Sequence, residues 1–387
     1  MFKYKLGSIN LVVAILIKDY FLILMNYYIR NYNQDFGGYT MKIRKPCYSL
    51  CLALLAGIIL CSSTIAQPTS LTKDGMLYYT SLWKGERFPD GRPKVSDDII
   101  RRMRYVSVTE AWQTLNGLSD AEGQGPTSFG EFRRPTYSNQ YYGGFKMMRD
   151  NIVICGRAST IHFLPYRPDL NGLVQQQGTK DGRGRGQYTW GIDQLQKGDV
   201  YVADVCEGLL DASHVGDNLG TTIWTKTGNG AVIRGTLRDL YGNLGVNPDW
   251  NVMVRDFRPQ ANSSNLVIGI NCPIQVGYVT VMPGDVVLGT LEGVVFIPPQ
   301  LALQVVETSE KTRMQDVFAH DGVKQGKFTA QQADGGYTPE MNQEFTKWLL
   351  DNADTMGKFF EDPKAAPSPE FIRAYAKERQ SMKPPQR

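Results

Sequence analysis

The run of turn, apolar and helical patterns between residues 198 and 233 most constrains the fold. Residues 198–205 place a Gly-Asp turn before an apolar segment, and residues 218–227 follow with a helical pattern. Gly-Asn-Gly at 228–230 ends that helix, and a short apolar strand at 231–233 comes next. A β–α–β unit takes a right-handed crossover, which makes its two strands parallel neighbours. The sequence therefore predicts an α/β fold.

The turn that opens this helix and the pair that follows the second strand form the candidate site. A helix N-terminus offers unpaired N–H groups and a positive dipole to a carboxylate. An arginine adds a planar cation suited to a carboxylate or enolate oxygen, and an aspartate can hold Mg²⁺ or Mn²⁺. This pattern predicts a cleft for a small 2-oxo acid beside a divalent metal. The candidate residues are Gly216, Asp217, Asn218, Leu219, Arg238 and Asp239.

Plainer interpretations of the same residues stay open at this point. Arg238-Asp239 could be a surface ion pair or a helix cap, and Gly216-Asp217 could be an ordinary N-terminal turn. His214 precedes the turn by two residues and could act as a base. A lone histidine on a loop is more often structural.

Several short motifs in a fixed order and spacing extend the pattern from Lys197 to about Phe318. Taken singly they mean little, but together they resemble the RraA-like family, which includes regulators of ribonuclease E activity and 4-hydroxy-4-methyl-2-oxoglutarate aldolases. The matching segments are Gly198-Asp199-Val200, Gly216-Asp217-Asn218-Leu219, Gly235-Thr236-Leu237-Arg238-Asp239, Pro273-Ile274 with Gly277, Pro283-Gly284-Asp285-Val286-Val287 and Glu292-Gly293-Val294.

The resemblance implies a compact β/β/α core within an α/β fold, assembled as a homotrimer or homohexamer with active sites between subunits. In the family's aldolases the turn equivalent to 216–219 binds the pyruvyl carboxylate through backbone N–H groups. The equivalent of Arg238 contacts the substrate, and the equivalent of Asp239 holds a divalent metal through water. A neighbouring subunit's late helix also lends a glutamate, for which Glu307 and Glu310 are candidates.

One segment departs from the family pattern. Many members carry an aspartate pair before the glycine that Gly293 matches, whereas this chain has Gly-Thr-Leu-Glu at 289–292. The departure puts in doubt any role of that loop, including its share of a subunit interface.

The N-terminus predicts export. A basic start at 41–45, an apolar core at 50–61 and small residues before Ala66 form a secretory signal, with Gln67 as the first mature residue. A lipoprotein cut before Cys61 is disfavoured because Leu60 is bulky. Residues 1–40 are then explained by an upstream start, with Met41 as the true one. The alternative is an anchor at 9–25, where Lys18-Asp19 would be costly.

Charge and cysteine content exclude other classes once residues 1–66 are removed. They carry seven of the 42 basic and two of the 38 acidic residues, which leaves 35 and 36. No basic surface for nucleic acid is therefore expected, nor a membrane contact of the mature chain. Cys155, Cys206 and Cys272 lie far apart in β-like runs, which predicts single thiols instead of a disulfide framework or a metal knot.

The organisation predicted for the mature chain has three parts: an N-terminal arm and helix at 67–150, an RraA-like domain at 151–318 and a C-terminal helical extension at 319–387. Ser96 is predicted to cap a helix, and a charged, exposed helix is predicted at 370–379. Gly-Arg-Gly-Arg-Gly at 182–186 does not directly follow a strand, so it predicts a flexible loop and not a phosphate cradle.

The function predicted from these residues is an exported lyase acting on a 2-oxo acid with Mg²⁺ or Mn²⁺, of the class II aldolase type. Retro-aldol cleavage and decarboxylation both pass through pyruvate enolate, so both stay open. In the first, Asp217 or a water would move the proton from the C4 hydroxyl. The alternative is a non-catalytic ligand-binding or regulatory protein on the same scaffold. Methyl transfer is disfavoured because no glycine-rich loop follows a first strand.

Overall fold

The computed structural model describes residues 70–118, 137–206, 213–261 and 264–381. All of them belong to one compact unit, residues 67–387. The predicted upstream segment 1–40 and the signal peptide 41–66 lie outside the described residues. No helix among the described residues has both the length and the apolar character needed to cross a bilayer.

A ten-stranded mixed sheet forms the centre of this unit. Its main order is β1-β12-β11-β3-β4-β6-β7-β2, with β5 beside β6 and β8 beside β3, and β9 and β10 form a separate hairpin. The pairs β3–β4, β4–β6, β5–β6 and β6–β7 are parallel, so the predicted parallel neighbours are confirmed. The strands are β1 (Tyr141–Tyr142), β2 (Lys146–Met147), β3 (Ile154–Pro165), β4 (Asp199–Val205), β5 (Ser213–Val215), β6 (Ala231–Leu237), β7 (Val252–Phe257), β8 (Asn265–Ile270), β9 (Ile274–Val276), β10 (Val279–Val281), β11 (Val286–Thr290) and β12 (Gly293–Ile297).

Helices pack on the sheet, and further helices follow the last strand in the C-terminal part of the chain, so the α/β class is confirmed. The predicted helix at 218–227 is found as α6, and its C-cap Gly228 adopts the left-handed conformation. The helices are α1 (Lys73–Tyr79), α2 (Asp97–Met103), α3 (Val108–Gly117), α4 (Pro168–Lys180), α5 (Trp190–Asp193), α6 (Asp217–Thr227), α7 (Leu240–Leu244), α8 (Ala302–Lys324), α9 (Ala330–Asp334), α10 (Pro339–Asn352) and α11 (Pro369–Ser381).

Alternation along the central strands separates two hydrophobic layers. On β4, Tyr201 and Ala203 face the layer shared with α6, whereas Val200 and Val202 face the layer shared with the β9–β10 hairpin. A third cluster joins β11 and β12 to α2, α3 and the first turns of α8. The parallel strands are therefore buried on both faces, and only their ends are free to form a site.

The N-terminal arm is fastened to the sheet by two buried arginines. The two terminal nitrogens of Arg92, Nη2 and Nη1, donate to the carboxylate of Asp199 at 3.1 and 3.2 Å, and neither side chain is exposed. Arg157 on β3 donates to the Val95 carbonyl at 2.6 Å and pairs with Asp97. The predicted cap at Ser96 is confirmed, since its hydroxyl accepts from the Ile99 N–H.

The C-terminal extension has a core of its own. Met314 and Phe318 of α8 pack with Phe345 and Leu349 of α10 and with Ile372 of α11. The prediction that residues 370–379 form a helix is confirmed, but the prediction that this helix is exposed is wrong. Its residues Ile372, Tyr375 and Ala376 are spaced three and four apart, so they form one apolar stripe that the charged composition concealed.

A buried carboxyl before β11 should make stability pH-dependent. Asp285 accepts a hydrogen bond from the Met282 N–H at 2.8 Å, and burial raises its pKa to about 7. The folded state thus keeps a proton that the unfolded chain loses near pH 4, so this contribution is full below pH 4 and is lost as pH rises through 7. An asparagine at this position cannot lose a proton, so the Asp285→Asn variant should not lose this stability. The unfolding free energy of Asp285→Asn minus that of the wild type should therefore rise by up to about 4 kcal/mol from pH 4 to pH 8.

Urea denaturation at several pH values would check this difference. Asp249→Asn makes the same change at an exposed residue and is the matched control. A wild-type-to-Asp285→Asn difference that is constant from pH 4 to pH 8 would contradict the assignment.

Candidate functional site

Strand register brings the two predicted motifs together. β5 and β6 are parallel, and Val215 lies opposite Leu237. The residues that follow, Gly216 and Arg238, are therefore neighbours at the carboxyl edge of the sheet. The Arg238 N–H donates to the Val215 carbonyl at 3.0 Å, which fixes the start of one motif on the end of the other strand.

Gly216 touches both side chains of the Arg-Asp pair. A methyl group placed on its Cα would lie 2.5 Å from Oδ2 of Asp239 and 3.1 and 3.2 Å from Nε and Nη2 of Arg238. The two side chains are about 40% exposed, and Nη1 of Arg238 lies 3.4 Å from Oδ2 of Asp239. The turn, the cation and the carboxylate thus line one open cleft, within reach of one small molecule.

The backbone at Asp239 is held in an unusual conformation. Its φ of 55° and ψ of 48° lie in the left-handed region, which aspartate tolerates better than most residues. Asn243 fixes this turn: its N–H donates to the Asp239 carbonyl at 2.8 Å, and its side-chain amide donates to the carbonyls of Arg238 and Asp239 at 3.0 and 3.2 Å. Strained residues of this kind concentrate at functional sites.

Asn243 is a positioning residue that the sequence prediction missed. β6 continues through Leu237, and α7 begins at Leu240. Asn243 is fully buried and accepts from Nε1 of Trp250 at 3.2 Å. The one signal in the sequence was that Asn243 follows Asp239 by four residues, the spacing of one helical turn. That signal can be used only when the start of α7 is known.

The remaining residues of the predicted turn are placed as follows. Gly216 is the N-cap of α6 and offers no capping side chain. Asp217 is half-buried: its Oδ1 accepts from the Asn218 N–H at 2.8 Å, and its side chain packs against Gly242 of α7. Asn218 is exposed, and Leu219 packs partly into the core. One N–H of the predicted carboxylate cradle, that of Asn218, is therefore already bound by the Asp217 side chain.

His214 is not placed to act as a base. It is buried on β5, its Nε2 lies 2.6 Å from the Tyr201 hydroxyl, and its ring stacks on that of Tyr201. Burial lowers the pKa of His214 to about 3. The structural interpretation of this histidine is the correct one.

The late-helix glutamates differ from each other. Glu310 is buried and binds Arg102 of α2 through both carboxylate oxygens, at 2.7 and 2.8 Å. That pair lies within one chain and engages both carboxylate oxygens, which argues against Glu310 as the glutamate that completes a neighbouring subunit's site. Glu307, one turn earlier, is half-buried and lines a polar cavity with Asp98 and Arg313.

A further cation lies at the same edge and had no clear signal in the sequence. β7 runs parallel to β6 with Phe257 opposite Leu237, so Arg258 follows beside Arg238. The Arg258 N–H donates to the Leu237 carbonyl at 2.9 Å, and its guanidinium is partly exposed 3.4 Å from the Asp256 carboxylate. An arginine after a strand is common, and only the register shows that the two cations are adjacent.

The residues present suit a metal held mainly by water. Among the residues that the structure describes, no group of three or more His, Cys, Asp or Glu is arranged to enclose an ion. Mg²⁺ keeps several waters and can be bound through one carboxylate. The Asp239 carboxylate is exposed enough to accept such a hydrated ion, and its oxygens face the cleft at Gly216. The donor set therefore fits a hydrated divalent cation and not an all-protein cage.

Comparison with known proteins gives a family for part of the chain. Residues 116–296 match the family model described as RraA-like, Aldolase/RraA. Over 123 residues the chain is 29% identical to a Halalkalibacterium halodurans protein named "Putative 4-hydroxy-4-methyl-2-oxoglutarate aldolase". That match covers 32% of this chain and 57% of the relative, so the chain spans little more than half of the relative's length.

Two solved structures are similar to the chain as well. One is Streptomyces coelicolor RraAS2, described as an unusual member of the RNase ES inhibitor RraA protein family. The two chains are 21% identical, the match covers 59% of this chain and 98% of that chain, and the TM-score is 0.47. The other is an uncharacterized protein from Pseudomonas syringae pv. tomato, with 19% identity, coverage of 65% and 100%, and a TM-score of 0.47. The resemblance indicated by the motifs agrees with the family match, and residues 116–296 of this chain are similar to the RraA-like family.

Proposed function

We propose that this protein is a divalent-metal-dependent carbon–carbon lyase acting on a small 2-oxo acid. The observation that supports it most is the contact of Gly216 with the side chains of both Arg238 and Asp239 at the carboxyl edge of the sheet. A helix N-terminus, a guanidinium and a carboxylate in one open cleft suit a substrate with a carboxylate next to a carbonyl. The description of the matching family as Aldolase/RraA supports the same reaction class.

Each residue has a distinct task in this proposal. The N–H groups of the first turn of α6 bind the substrate carboxylate, since Gly216 leaves them without a side-chain cap. Arg238 holds the 2-oxo oxygen and stabilises the negative charge that develops there. Asn243 keeps the 238–239 turn in place. Asp239 would hold Mg²⁺ or Mn²⁺ through water, and the ion would supply Lewis acidity when bound.

Proton transfer is assigned to Asp217 or to a water. The Asp217 carboxylate accepts the Asn218 N–H, which fixes its position beside the first turn of α6. Retro-aldol cleavage needs a base for the C4 hydroxyl, whereas decarboxylation does not. The effect of Asp217→Asn therefore separates the two: a large loss with a 4-hydroxy-2-oxo acid and a small one with oxaloacetate.

Assembly and location are part of the proposal. The resemblance to the family favours a trimer or a pair of trimers with sites between subunits. Since Glu310 is committed within the chain, the neighbour's contribution would come from elsewhere on its surface. Export follows from the signal-like segment 41–66, and it makes a ribonuclease partner in the cytoplasm implausible.

A pyruvate-coupled assay with Mg²⁺ or Mn²⁺ tests the proposed function directly. Oxaloacetate and a 4-hydroxy-2-oxo acid are the substrates, and Arg238→Ala and Asp239→Ala should each lower kcat/KM by about 100-fold or more. Chelation should abolish turnover, and added metal should restore it. Wild-type rates in both variants would exclude these roles. Thermal stabilisation by metal and oxalate without any turnover would instead support a ligand-binding protein.

A further inference from the structure

Another cavity is lined by residues that do not belong to the Arg-Asp cleft. It has a volume of about 220 Å³ and opens between α4, residues 185–188 and the first residue of β8. Phe163, near the end of β3, contributes to its inner wall. None of the residues assigned to the 2-oxo acid site lines this cavity.

Aromatic rings flank the opening. Tyr166 and Tyr188 line the cavity and are 48% and 43% exposed, although a tyrosine ring is usually more deeply buried. Exposed aromatic faces beside a cavity are suited to stacking on an apolar face of a ligand ring. Of the described residues that line this cavity none is aliphatic, so a purely hydrocarbon ligand would have little to contact.

Side-chain amides form the rest of the wall. Gln187 donates to Oδ1 of Asn171 at 2.8 Å and accepts from the Val267 N–H at 3.1 Å, so these amides are fixed in position. Asn265 also lines the cavity, and among the described residues its Nδ2 has no hydrogen-bond partner although it is buried. An amide both donates and accepts, as a hydroxyl does, so a wall of amides favours a ligand that carries hydroxyl groups.

One cation at the rim is unengaged. Within the described part of the chain, Arg185 makes no ion pair or hydrogen bond, and it is exposed at the cavity. Its neighbour Arg183 is different, since it binds the Ser70 hydroxyl at 3.1 Å and lies over the Trp190 ring. Nε1 of Trp190 donates to the Gly184 carbonyl at 2.8 Å, so the backbone is held in place immediately before Arg185.

We propose that this cavity binds a monocarboxylated sugar such as an aldonate or a uronate. The amides match the hydroxyl groups, the tyrosine rings cover the apolar C–H face, and Arg185 pairs with the single carboxylate. Among the described residues that line the cavity there is no carboxylate, so an anionic ligand meets no repelling negative charge from them. This site is independent of the proposed lyase function.

Isothermal titration of the full-length protein with sodium D-glucuronate tests the proposal, with D-glucose and 4-hydroxybenzoate as the other probes. D-glucuronate should bind, and D-glucose, which lacks the charge, should bind at least about 10-fold more weakly. Arg185→Gln should weaken D-glucuronate binding to the level of D-glucose. Tyr188→Ala should weaken both sugars.

Two matched controls keep the result specific. Lys180→Gln removes an exposed charge near the end of α4 that does not line the cavity, and Asp239→Ala removes the carboxylate of the other site. Both should bind D-glucuronate as wild type does, whatever their turnover of 2-oxo acids. Absence of D-glucuronate binding, equal binding to Arg185→Gln, or tighter binding of 4-hydroxybenzoate than of D-glucuronate would each overturn the proposal.

Discussion

Replacing Gly216 by alanine is expected to lower kcat/KM for a 2-oxo acid by about 100-fold or more while the fold survives. The added methyl group would meet Oδ2 of Asp239 at 2.5 Å and the guanidinium of Arg238 at 3.1 Å. Gly216 has a φ of −104°, which any residue adopts, so the backbone is not strained by the change. The two side chains are partly exposed and can swing into solvent, which spares stability but dismantles the cleft.

Steady-state kinetics and thermal unfolding of the same preparation separate these effects. Gly172→Ala is the matched control, because a methyl group there meets nothing within 4 Å and the residue lies inside α4. That variant should keep wild-type kinetics and gain about 0.5–1 kcal/mol of stability. Wild-type kcat/KM in Gly216→Ala would show that the contact of the turn with the Arg-Asp pair is irrelevant to catalysis.

Replacing Arg92 by methionine is expected to cost about 3–5 kcal/mol of unfolding free energy at neutral pH. Arg92 and Asp199 are both fully buried, so removing the cation leaves a carboxylate without its charge partner inside the protein. Burial already raises the pKa of Asp199, in spite of Arg92. Without Arg92 the folded state takes up a proton there, and the deficit should shrink as the pH falls towards 4.

Urea denaturation of a double-mutant cycle measures this pair. Arg92→Met with Asp199→Asn should recover part of the loss, since no buried charge then remains. Lys94→Met is the exposed counterpart, because Lys94 pairs with Glu86 at 2.6 Å near the surface, and it should cost less than about 1 kcal/mol. Equal losses in Arg92→Met and Lys94→Met would contradict the assignment.

The meeting of the turn at 216 with the pair at 238–239 could be predicted from the sequence. A helix between two strands forces parallel pairing, and residues that follow parallel strands share one edge of the sheet. Only the exact register, in which Val215 lies opposite Leu237, required the structure. Helix ends with a clear chemical signal, such as Ser96 and Gly228, were predicted for the same reason: the capping group is local in sequence.

Features set by distant partners could not be predicted. Arg92 and Asp199 are separated by 107 residues, and neither has a local pattern that indicates burial. The same holds for Glu310, whose partner Arg102 lies 208 residues away. Asn243 was missed because α7 is five residues long and its start depends on the left-handed turn at Asp239, which propensity does not indicate.

The helix α8 belongs to two hydrophobic cores at once. Val305 and Val306 lie in the cluster with the N-terminal helices and β11, whereas Met314 and Phe318 lie in the C-terminal cluster. Because this helix of 23 residues is continuous, unfolding of either hydrophobic cluster disturbs the packing of the other. Cooperative melting across both cores follows, so cutting away the extension would also loosen the packing against β11 and β12.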